Sequence, residues 1–274
     1  MPGFADLHMH TYYSDGTSSP QEVVADAVKA ELACIAITDH DVADGVAPAI
    51  EAGKAVGIEV VPGIELSSEF EGKDIHILGY FIDYSKGPLF DKLEVFLDGR
   101  VARMKQMLVN LKAVGIDNIE FEEVTALTKS RAVGRAHLAF LLVQKGWVGS
   151  FRAAFDQYLI EGRPGWAPKF QQTPFEAIDL IRQSGGVAVM AHPMLTQKDE
   201  LISPMVKAGL GGLEVYYSGS TELVTKFYEK IAKKYDLVMT GGSDAHGTVK
   251  PYTYVGKMKV PYEAVTLMRT RCGL

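Results

Sequence analysis

The sequence predicts an α/β fold in which a parallel sheet closes into a barrel. Short apolar segments alternate with helical segments along most of the chain, which is typical of parallel strands joined by crossover helices. Side chains of metal-ligand type follow several apolar segments, as expected where barrel strands deliver functional groups to one rim. With 274 residues, of which 47% are hydrophobic, the chain can bury a large core as one barrel with an insertion.

Local signals mark the helices and strands of this barrel. Ser19 and Thr173 are each followed by proline and, three residues on, by glutamate, which predicts an N-cap, a proline in the first helical position and a capping box. The helix after Thr173 covers residues 175–183 and ends before two glycines. The predicted strands cover residues 4–7, 34–38, 58–65, 76–81, 187–192, 213–217 and 237–241, and further helices cover 203–208 and 221–235.

Between residues 88 and 168 the pattern is helical throughout. Apolar residues recur at helical spacing from Leu93 to Leu111, which predicts one long helix, and shorter helices are predicted at 121–128, 138–143 and 151–159. We therefore expect residues 1–87 and 169–274 to form the barrel and residues 88–168 to form an all-helical insertion.

The second half of this insertion is basic. Residues 129–169 contain only two acidic residues against seven basic ones, which are Lys129, Arg131, Arg135, Lys145, Arg152, Arg163 and Lys169. This excess favours a cap over an anion-binding site, because arginine forks match the oxygens of a phosphate. The alternative is a solvated basic helical face, which is what charge runs usually form.

Histidines and carboxylates predict a metal site. His8 and His10 follow the first strand and alternate with Met9, so both imidazoles point to one face and can share a divalent ion. A pair with this spacing also arises by chance. However, six of the seven histidines lie close to one end of a predicted strand, His76 at the beginning of its strand, and carboxylates accompany them, which favours a cluster at one barrel rim.

The order of these motifs resembles the polymerase and histidinol phosphatase (PHP) family of metal-dependent phosphoesterases. The motifs are HMHTYYSDG at 8–16, TDH at 38–40, GIE at 63–65, HILGY at 76–80, AHP at 191–193 and GSDAH at 242–246, and they cover nearly the full chain. The resemblance implies a distorted seven-stranded barrel. It also implies that the metal ligands, which form the catalytic centre, are His8, His10, Asp15, His40, Glu65, His76, His192, Asp244 and His246.

Nine ligands are enough for two or three divalent ions. Imidazole and carboxylate without thiolate suit Mn²⁺, Fe²⁺ or Zn²⁺, and the family favours manganese. Such ions lower the pKa of water and bind phosphoryl oxygens, so that water can attack phosphorus in line. Because all nine family positions carry ligand-type residues, the resemblance implies an active phosphoric ester hydrolase.

Two stretches of the insertion, SRAVGRAHLA at 130–139 and EGRPGWAPK at 161–169, resemble a PHP subgroup that acts on 3′,5′-bisphosphorylated nucleotides and on RNA 5′ ends. The subgroup usually has proline where this chain has Ala136, so the chain departs from the subgroup pattern at this turn. The resemblance implies substrate contacts from Arg135, His137, Lys129, Ser130, Arg163 and Lys169. Trp166 and Phe170 flank basic residues and could stack on a base, although isolated aromatic residues are more often part of a core.

Three functions are open at this point. The first is removal of the 3′-phosphate of 3′,5′-bisphosphorylated nucleotides, with 5′-to-3′ exoribonuclease action on short RNA. The second is another PHP phosphatase such as histidinol phosphatase, whose small substrate would not need a large cap. The third is a non-catalytic metal-binding module, like the PHP domains attached to bacterial replicative polymerases.

Composition bears on the binding partners and the cellular compartment of the protein. A net charge of −6 argues against a surface that binds nucleic acid throughout. The two cysteines, Cys34 and Cys272, indicate neither a disulfide framework nor a thiolate metal site. No apolar run reaches the roughly eighteen residues of a membrane span, and the metal motif begins too early for a cleavable signal. We expect a cytoplasmic enzyme with no membrane contact, and the sequence leaves the oligomeric state open.

Overall fold

The computed structural model describes residues 3–168 and 172–274, and its strands form one eight-stranded sheet in the order β7-β6-β5-β4-β3-β2-β1-β8. The strands are β1 (Phe4–Asp6), β2 (Cys34–Ile37), β3 (Glu59–Phe70), β4 (Lys73–Tyr80), β5 (Val187–Met190), β6 (Gly212–Tyr217), β7 (Val238–Gly242) and β8 (Val260–Pro261).

Contacts between the two ends of this sheet close it into a barrel. The Leu7 amide donates to the Gly241 carbonyl at 3.2 Å, and Met9 and Ala245 form a parallel bridge just beyond β1 and β7. The two-residue strand β8 pairs antiparallel with the beginning of β1. The predicted α/β barrel is confirmed, with seven strands around the barrel and β8 as a short addition.

The prediction of a parallel sheet is wrong for β4, which runs antiparallel to both β3 and β5. The cause is the connection at Glu71 and Gly72, where both residues have positive φ, 51° and 75°. A two-residue turn of this kind joins antiparallel strands and leaves no room for a crossover helix. For the same reason β3 does not end at Glu65, as the sequence suggested, but continues to Phe70, which pairs with Lys73.

Eleven α-helices surround and extend the barrel in the described part of the chain. They are α1 (Pro20–Lys29), α2 (Val46–Val56), α3 (Pro88–Ala113), α4 (Phe121–Thr125), α5 (Arg135–Gln144), α6 (Phe151–Ala154), α7 (Pro174–Gln183), α8 (Pro193–Thr196), α9 (Ile202–Ala208), α10 (Glu222–Lys234) and α11 (Glu263–Arg271). Both predicted capping boxes form: the hydroxyls of Ser19 and Thr173 each accept from the backbone N–H three residues on.

Between β4 and β5 the described residues form helices and no strand. The long helix α3 packs on α4, α5 and α6 around a hydrophobic core of its own, which includes Met107, Leu111, Leu138 and Leu142. The helix predicted at 151–159 forms as two consecutive segments. The α-helical α6 ends at Ala154, and a π-helical segment follows at Phe155–Leu159.

The barrel interior is apolar and buried, with Leu7, Val61, Leu78 and Val189 in one cluster. Tyr80 is also fully buried there, and its hydroxyl donates to the Leu7 carbonyl at 2.8 Å. This packing fixes the strands that present side chains to the rim. None of the described helices is long and apolar enough to cross a membrane.

Candidate metal centre

The carboxylate of Glu65 lies at the centre of a group of imidazoles at one rim of the barrel. Its Oε2 is 3.1 Å from His8 Nε2, 3.2 Å from His10 Nε2 and 3.2 Å from His40 Nδ1. Its Oε1 is 2.8 Å from His76 Nδ1 and 3.1 Å from His192 Nε2. One carboxylate therefore contacts five of the predicted ligands.

The remaining predicted ligands join this group through His10 and His246. Asp244 Oδ1 lies 3.3 Å from His10 Nε2 and 3.4 Å from His246 Nδ1. Asp15 Oδ1 lies 3.3 Å from His246 Nε2 and 3.7 Å from His10 Nδ1. The structure thus brings all nine residues together in one cluster.

The backbone places these side chains in three different ways. His8 and His10 follow β1, two residues apart and on the same face. Glu65 lies within β3, paired with Leu78 of β4, whereas His76 lies in the middle of β4 and reaches the rim because that strand is reversed. His192 and Asp244 follow β5 and β7 with φ of 26° and 52°, conformations that non-glycine residues keep only where the surrounding structure holds them.

Polar atoms in this cluster fit a bound cation. Among the described residues, His10 Nε2, His40 Nδ1 and Asp15 Oδ1 are buried and make no hydrogen bond. Burying such atoms without a partner is costly, and a metal ion would satisfy them. Three sets of ligand atoms lie within 4.8 Å of one another: His10, Asp15, His40 and His246; His8, His10 and Glu65; and His40, Glu65 and His76. The nitrogen and oxygen donors suit Mn²⁺, Fe²⁺ or Zn²⁺.

The pKa values of the same groups favour cation binding for most of them. Burial would raise the pKa of Asp15 and Glu65, but the surrounding imidazoles hold the pKa of both carboxyls well below the usual range. Burial lowers the pKa of His40 to about 3, so this imidazole is neutral and keeps a lone pair. Burial would also lower the pKa of His10, but the adjacent carboxylates of Asp244 and Glu65 raise it to about 9, so metal binding would displace a proton there.

Sequence reasoning missed several residues that hold the cluster in place. Glu214, buried on β6, contacts the His8 ring and the His192 backbone. Asp39 accepts from the Thr11 amide and hydroxyl, both at 2.7 Å, and so fixes the loop that leads to Asp15. A carboxylate inside an apolar strand, which is what Glu214 is in LEVYY, is the signal that could have found the first of these.

A cavity of about 180 Å³ connects the cluster with the helical insertion. Asp15, His40 and His76 of the cluster line this cavity. It is also lined by three arginines, by two further carboxylates and by apolar side chains, which are Arg100, Arg103, Arg135, Asp41, Asp74, Phe96, Met104, Met107 and Phe155. A ligand in this cavity can therefore contact the cluster and the arginines at once.

Comparison with known proteins identifies the family. A family model described as the PHP domain matches residues 6–145. The 3′,5′-nucleoside bisphosphate phosphatase of Chromobacterium violaceum is 34% identical over 248 residues, which cover 88% of this chain and 86% of that protein. The chain belongs to the PHP family.

Further comparisons agree with this PHP assignment. A 5′-3′ exoribonuclease of Haemophilus influenzae is 34% identical over 246 residues, covering 88% of this chain and 89% of that protein. The crystal structure of a protein from Bifidobacterium adolescentis, described as a metal-dependent phosphoesterase, superposes with a TM-score of 0.89 at 31% identity and covers 97% of this chain and 96% of the other. The chain is a PHP phosphoesterase and hence a hydrolase, which removes the non-catalytic module from the open functions.

The arginines of this PHP cavity are only partly those that the sequence indicated. Arg100 and Arg103 were missed, although their spacing of three residues places them on one face of α3. Arg100 Nε donates to Asp41 Oδ2 at 2.9 Å and Nη2 donates to Ser67 Oγ at 3.1 Å, which ties α3 to the rim. Arg103 Nε donates to the Ala167 carbonyl at 2.8 Å.

Arg103 forms no ion pair within the described part of the chain. Burial, together with the neighbouring charges of Arg135 and Arg100, lowers the pKa of Arg103 to about 10, which still leaves it protonated at neutral pH. Three guanidinium groups thus line the same cavity. Asp41 and Asp74 pair with Arg100 and Arg135, and an anion would offset the remaining positive charge.

Of the basic run at 129–169, only Arg135 lines the cavity among the residues that the structure describes. Its Nη2 is 3.0 Å from Asp74 Oδ2, and its guanidinium lies 5.7 Å from the centroid of the Phe155 ring. Three other members of the run form ion pairs with nearby acids, as the alternative of a solvated face implied; these are Arg131, Lys145 and Arg152.

The other predicted substrate contacts within residues 3–168 lie outside this cavity lining. His137 is buried on α5, where its Nδ1 accepts from the Gly134 amide at 3.0 Å. Ser130 donates its hydroxyl to the Tyr13 carbonyl, and the backbone N–H of the exposed Lys129 donates to Tyr12. Arg163 is exposed. Trp166 is partly buried, whereas Lys169 and Phe170 lie outside the described residues.

Proposed function

We propose that this PHP phosphoesterase removes the 3′-phosphate from 3′,5′-bisphosphorylated nucleotides and degrades short 5′-phosphorylated RNA from the 5′ end. The observation that carries the proposal is one cavity lined both by ligand-type residues of the cluster and by three arginines. A substrate with two phosphates can place the reacting phosphate at the cluster and bind the other phosphate to the arginines.

We assign the metal to the nine clustered residues, which have donors enough for two or three Mn²⁺ ions: His8, His10, Asp15, His40, Glu65, His76, His192, Asp244 and His246. When bound, such ions activate water and offset the charge of a phosphate ester. The carboxylates of Asp15, Glu65 and Asp244, which stay ionised, supply the negative charge that balances the cations.

We assign the binding of the 5′-phosphate to Arg103 and Arg135, which line the same cavity. Arg100 contributes positive charge, but its Nε and one Nη are already engaged with Asp41 and Ser67, so we assign it to fixing α3. The partly buried ring of Phe155 offers an apolar surface to the nucleoside between the two phosphates. Phenylalanine has no hydrogen-bonding group in its side chain, so this surface would accept different bases.

The same arrangement accounts for exoribonuclease action. In a 5′-phosphorylated RNA, the first internucleotide phosphate stands where the 3′-phosphate of the bisphosphate would lie. In both substrates water attacks phosphorus and the 3′-oxygen leaves. Cleavage of RNA at this bond leaves a new 5′-phosphate on the shortened chain, which can bind to the arginines in turn.

Histidinol phosphate is a poorer candidate on electrostatic grounds. It has one phosphate, so with that group at the cluster its cationic amine would face Arg100, Arg103 and Arg135. The deciding experiment compares phosphate release from adenosine 3′,5′-bisphosphate and from histidinol phosphate, both with Mn²⁺. We expect efficient release from the bisphosphate, and preference for histidinol phosphate would overturn the proposal.

A further inference from the structure

Glu214 occupies an unusual position, because its carboxylate is buried inside the barrel and contacts two predicted metal ligands on different elements. It lies on β6 and is 1% exposed. Its Oε1 is 2.9 Å from Nδ1 of His8, and its Oε2 accepts from the backbone N–H of His192 at 2.6 Å. It does not line the cavity, so it is not placed to contact a substrate.

The first contact determines which nitrogen of His8 keeps its proton when the other binds a metal. A carboxylate accepts hydrogen bonds, so Nδ1, which faces Glu214, keeps a proton. Nε2 faces Glu65 at 3.1 Å inside the cluster, and it is the nitrogen that would give up its proton to ligate a metal. A carboxylate on the outer nitrogen also makes the imidazole a stronger ligand.

The second contact fixes the backbone at His192. This residue leaves β5 with a φ of 26° and directly precedes Pro193, the first residue of α8. The hydrogen bond from its N–H to Glu214 holds that conformation and with it the direction of the His192 ring, whose Nε2 lies 3.1 Å from Glu65.

We propose that Glu214 is a positioning residue that sets the metal affinity of the centre by fixing the tautomer of His8 and the backbone of His192. The inference rests on the proposed metal centre and concerns its affinity for metal and the positions of two of its ligands. Because the carboxylate is sealed from the cavity, its effect reaches catalysis only through these two ligands.

The variant Glu214→Gln separates this role from simple packing. A glutamine has nearly the same shape, but one end of its amide accepts hydrogen bonds and the other donates. The His192 N–H can only donate, so the amide oxygen must turn to it and the NH₂ group must face His8 Nδ1. That nitrogen then has to accept, which moves the proton of neutral His8 to Nε2, the atom that faces the cluster.

The experiment measures Mn²⁺ binding to the full chain by the loss of the free Mn²⁺ signal in electron paramagnetic resonance. We expect the dissociation constant of Glu214→Gln to rise roughly 10- to 100-fold, as is typical when an outer partner of a ligating histidine is removed. Glu214→Asp keeps the charge but is one methylene shorter and cannot reach both partners, so it should recover only part of the affinity.

The matched control is Glu59→Gln, the same chemical change six residues before Glu65 on β3, where the carboxylate pairs with Tyr262 and Arg269. It should leave Mn²⁺ affinity unchanged. A second readout is the long-range ¹H–¹⁵N spectrum of the Zn²⁺-loaded protein, which should show His8 protonated at Nδ1. Circular dichroism of the metal-free proteins checks the fold, and Glu214→Asp serves as the test variant if the glutamine variant does not fold.

Several results would overturn the inference. Wild-type Mn²⁺ affinity in a folded Glu214→Gln protein would do so, as would an equal loss in Glu59→Gln or full recovery in Glu214→Asp, since either would indicate a general charge effect. A His8 ring protonated at Nε2 would contradict the tautomer. Absence of Mn²⁺ binding by the wild-type protein would instead refute the proposed metal centre, and the inference with it.

Discussion

Replacing Arg103 by alanine tests whether the arginines of the cavity bind a second phosphate. Arg103 is partly buried, and its Nε is held by the Ala167 carbonyl, so the guanidinium is already oriented before a ligand arrives. A pre-organised guanidinium loses little conformational entropy on binding a phosphate. We therefore expect the variant to lose most of the contribution of one charge-assisted hydrogen bond.

The size of that contribution gives the expected loss. Hydrogen bonds to charged groups contribute about 1.5 to 3 kcal/mol, and about 1.4 kcal/mol corresponds to a factor of ten. Arg103→Ala should then lower kcat/KM for adenosine 3′,5′-bisphosphate by roughly 10- to 100-fold. Adenosine 3′-monophosphate has no second phosphate, so its kcat/KM should stay close to that of the wild-type enzyme.

Initial rates of phosphate release, measured with both substrates in the presence of Mn²⁺, give kcat/KM for the variant and for the wild-type enzyme. The matched control is Arg131→Ala, which removes an arginine of the same insertion that pairs with Glu94 and Asp98 at the surface and does not line the cavity. It should leave both substrates unaffected. An equal loss on both substrates in Arg103→Ala would show that Arg103 supports the fold, and no loss on either would refute the placement of the 5′-phosphate.

Three further predictions follow from the site. Asp244→Ala should lower turnover by more than about 100-fold, beyond the usual effect of a residue outside the ligand shell, with the far-ultraviolet circular dichroism unchanged; near-normal turnover would remove Asp244 from the ligands. Arg135→Ala should reduce bisphosphate turnover less than Arg103→Ala, because Asp74 already pairs with Arg135 and competes with the substrate, and Arg135→Lys should recover only part of the loss; full recovery would argue against a bidentate contact. Chelation should lower the unfolding midpoint and added Mn²⁺ should restore it, with a stabilisation of about 2.7 kcal/mol at a hundred times the dissociation constant; a midpoint that does not respond to metal would contradict the centre.

The cluster could be anticipated because its residues have few alternative roles at their positions. Histidines and carboxylates that follow short apolar strands have to face a rim, as His8, His40 and His246 do. The reversal of β4 was harder to predict, since a short polar segment with a glycine, such as Glu71 and Gly72, does not by itself indicate a two-residue hairpin.

The arginines of the cavity could not be assigned from the sequence, because a count of charges along the chain does not show which of the charged side chains reach the site. Lys145 and Arg152 belong to the basic run, yet each pairs with an acid of the insertion. Arg100 and Arg103 precede the run and face the cavity only because of how α3 is docked on the rim. That docking depends on tertiary contacts such as the one between Arg100 and Asp41, which no local pattern contains.

The reversal of β4 also explains why Glu65 can occupy the centre of the cluster. If β3 ended at Glu65, this side chain would lie on a strand end and share the freedom of the loop that follows. Instead β3 continues to Phe70, and β4 pairs with it residue by residue, so Glu65 is held opposite Leu78 within a continuous ladder. The same hairpin brings His76, opposite Ser67, to within 2.8 Å of the Glu65 carboxylate. A ligand fixed within a strand is positioned more accurately than one on a loop, and the imidazoles from β1, β2 and β5 converge on this fixed point.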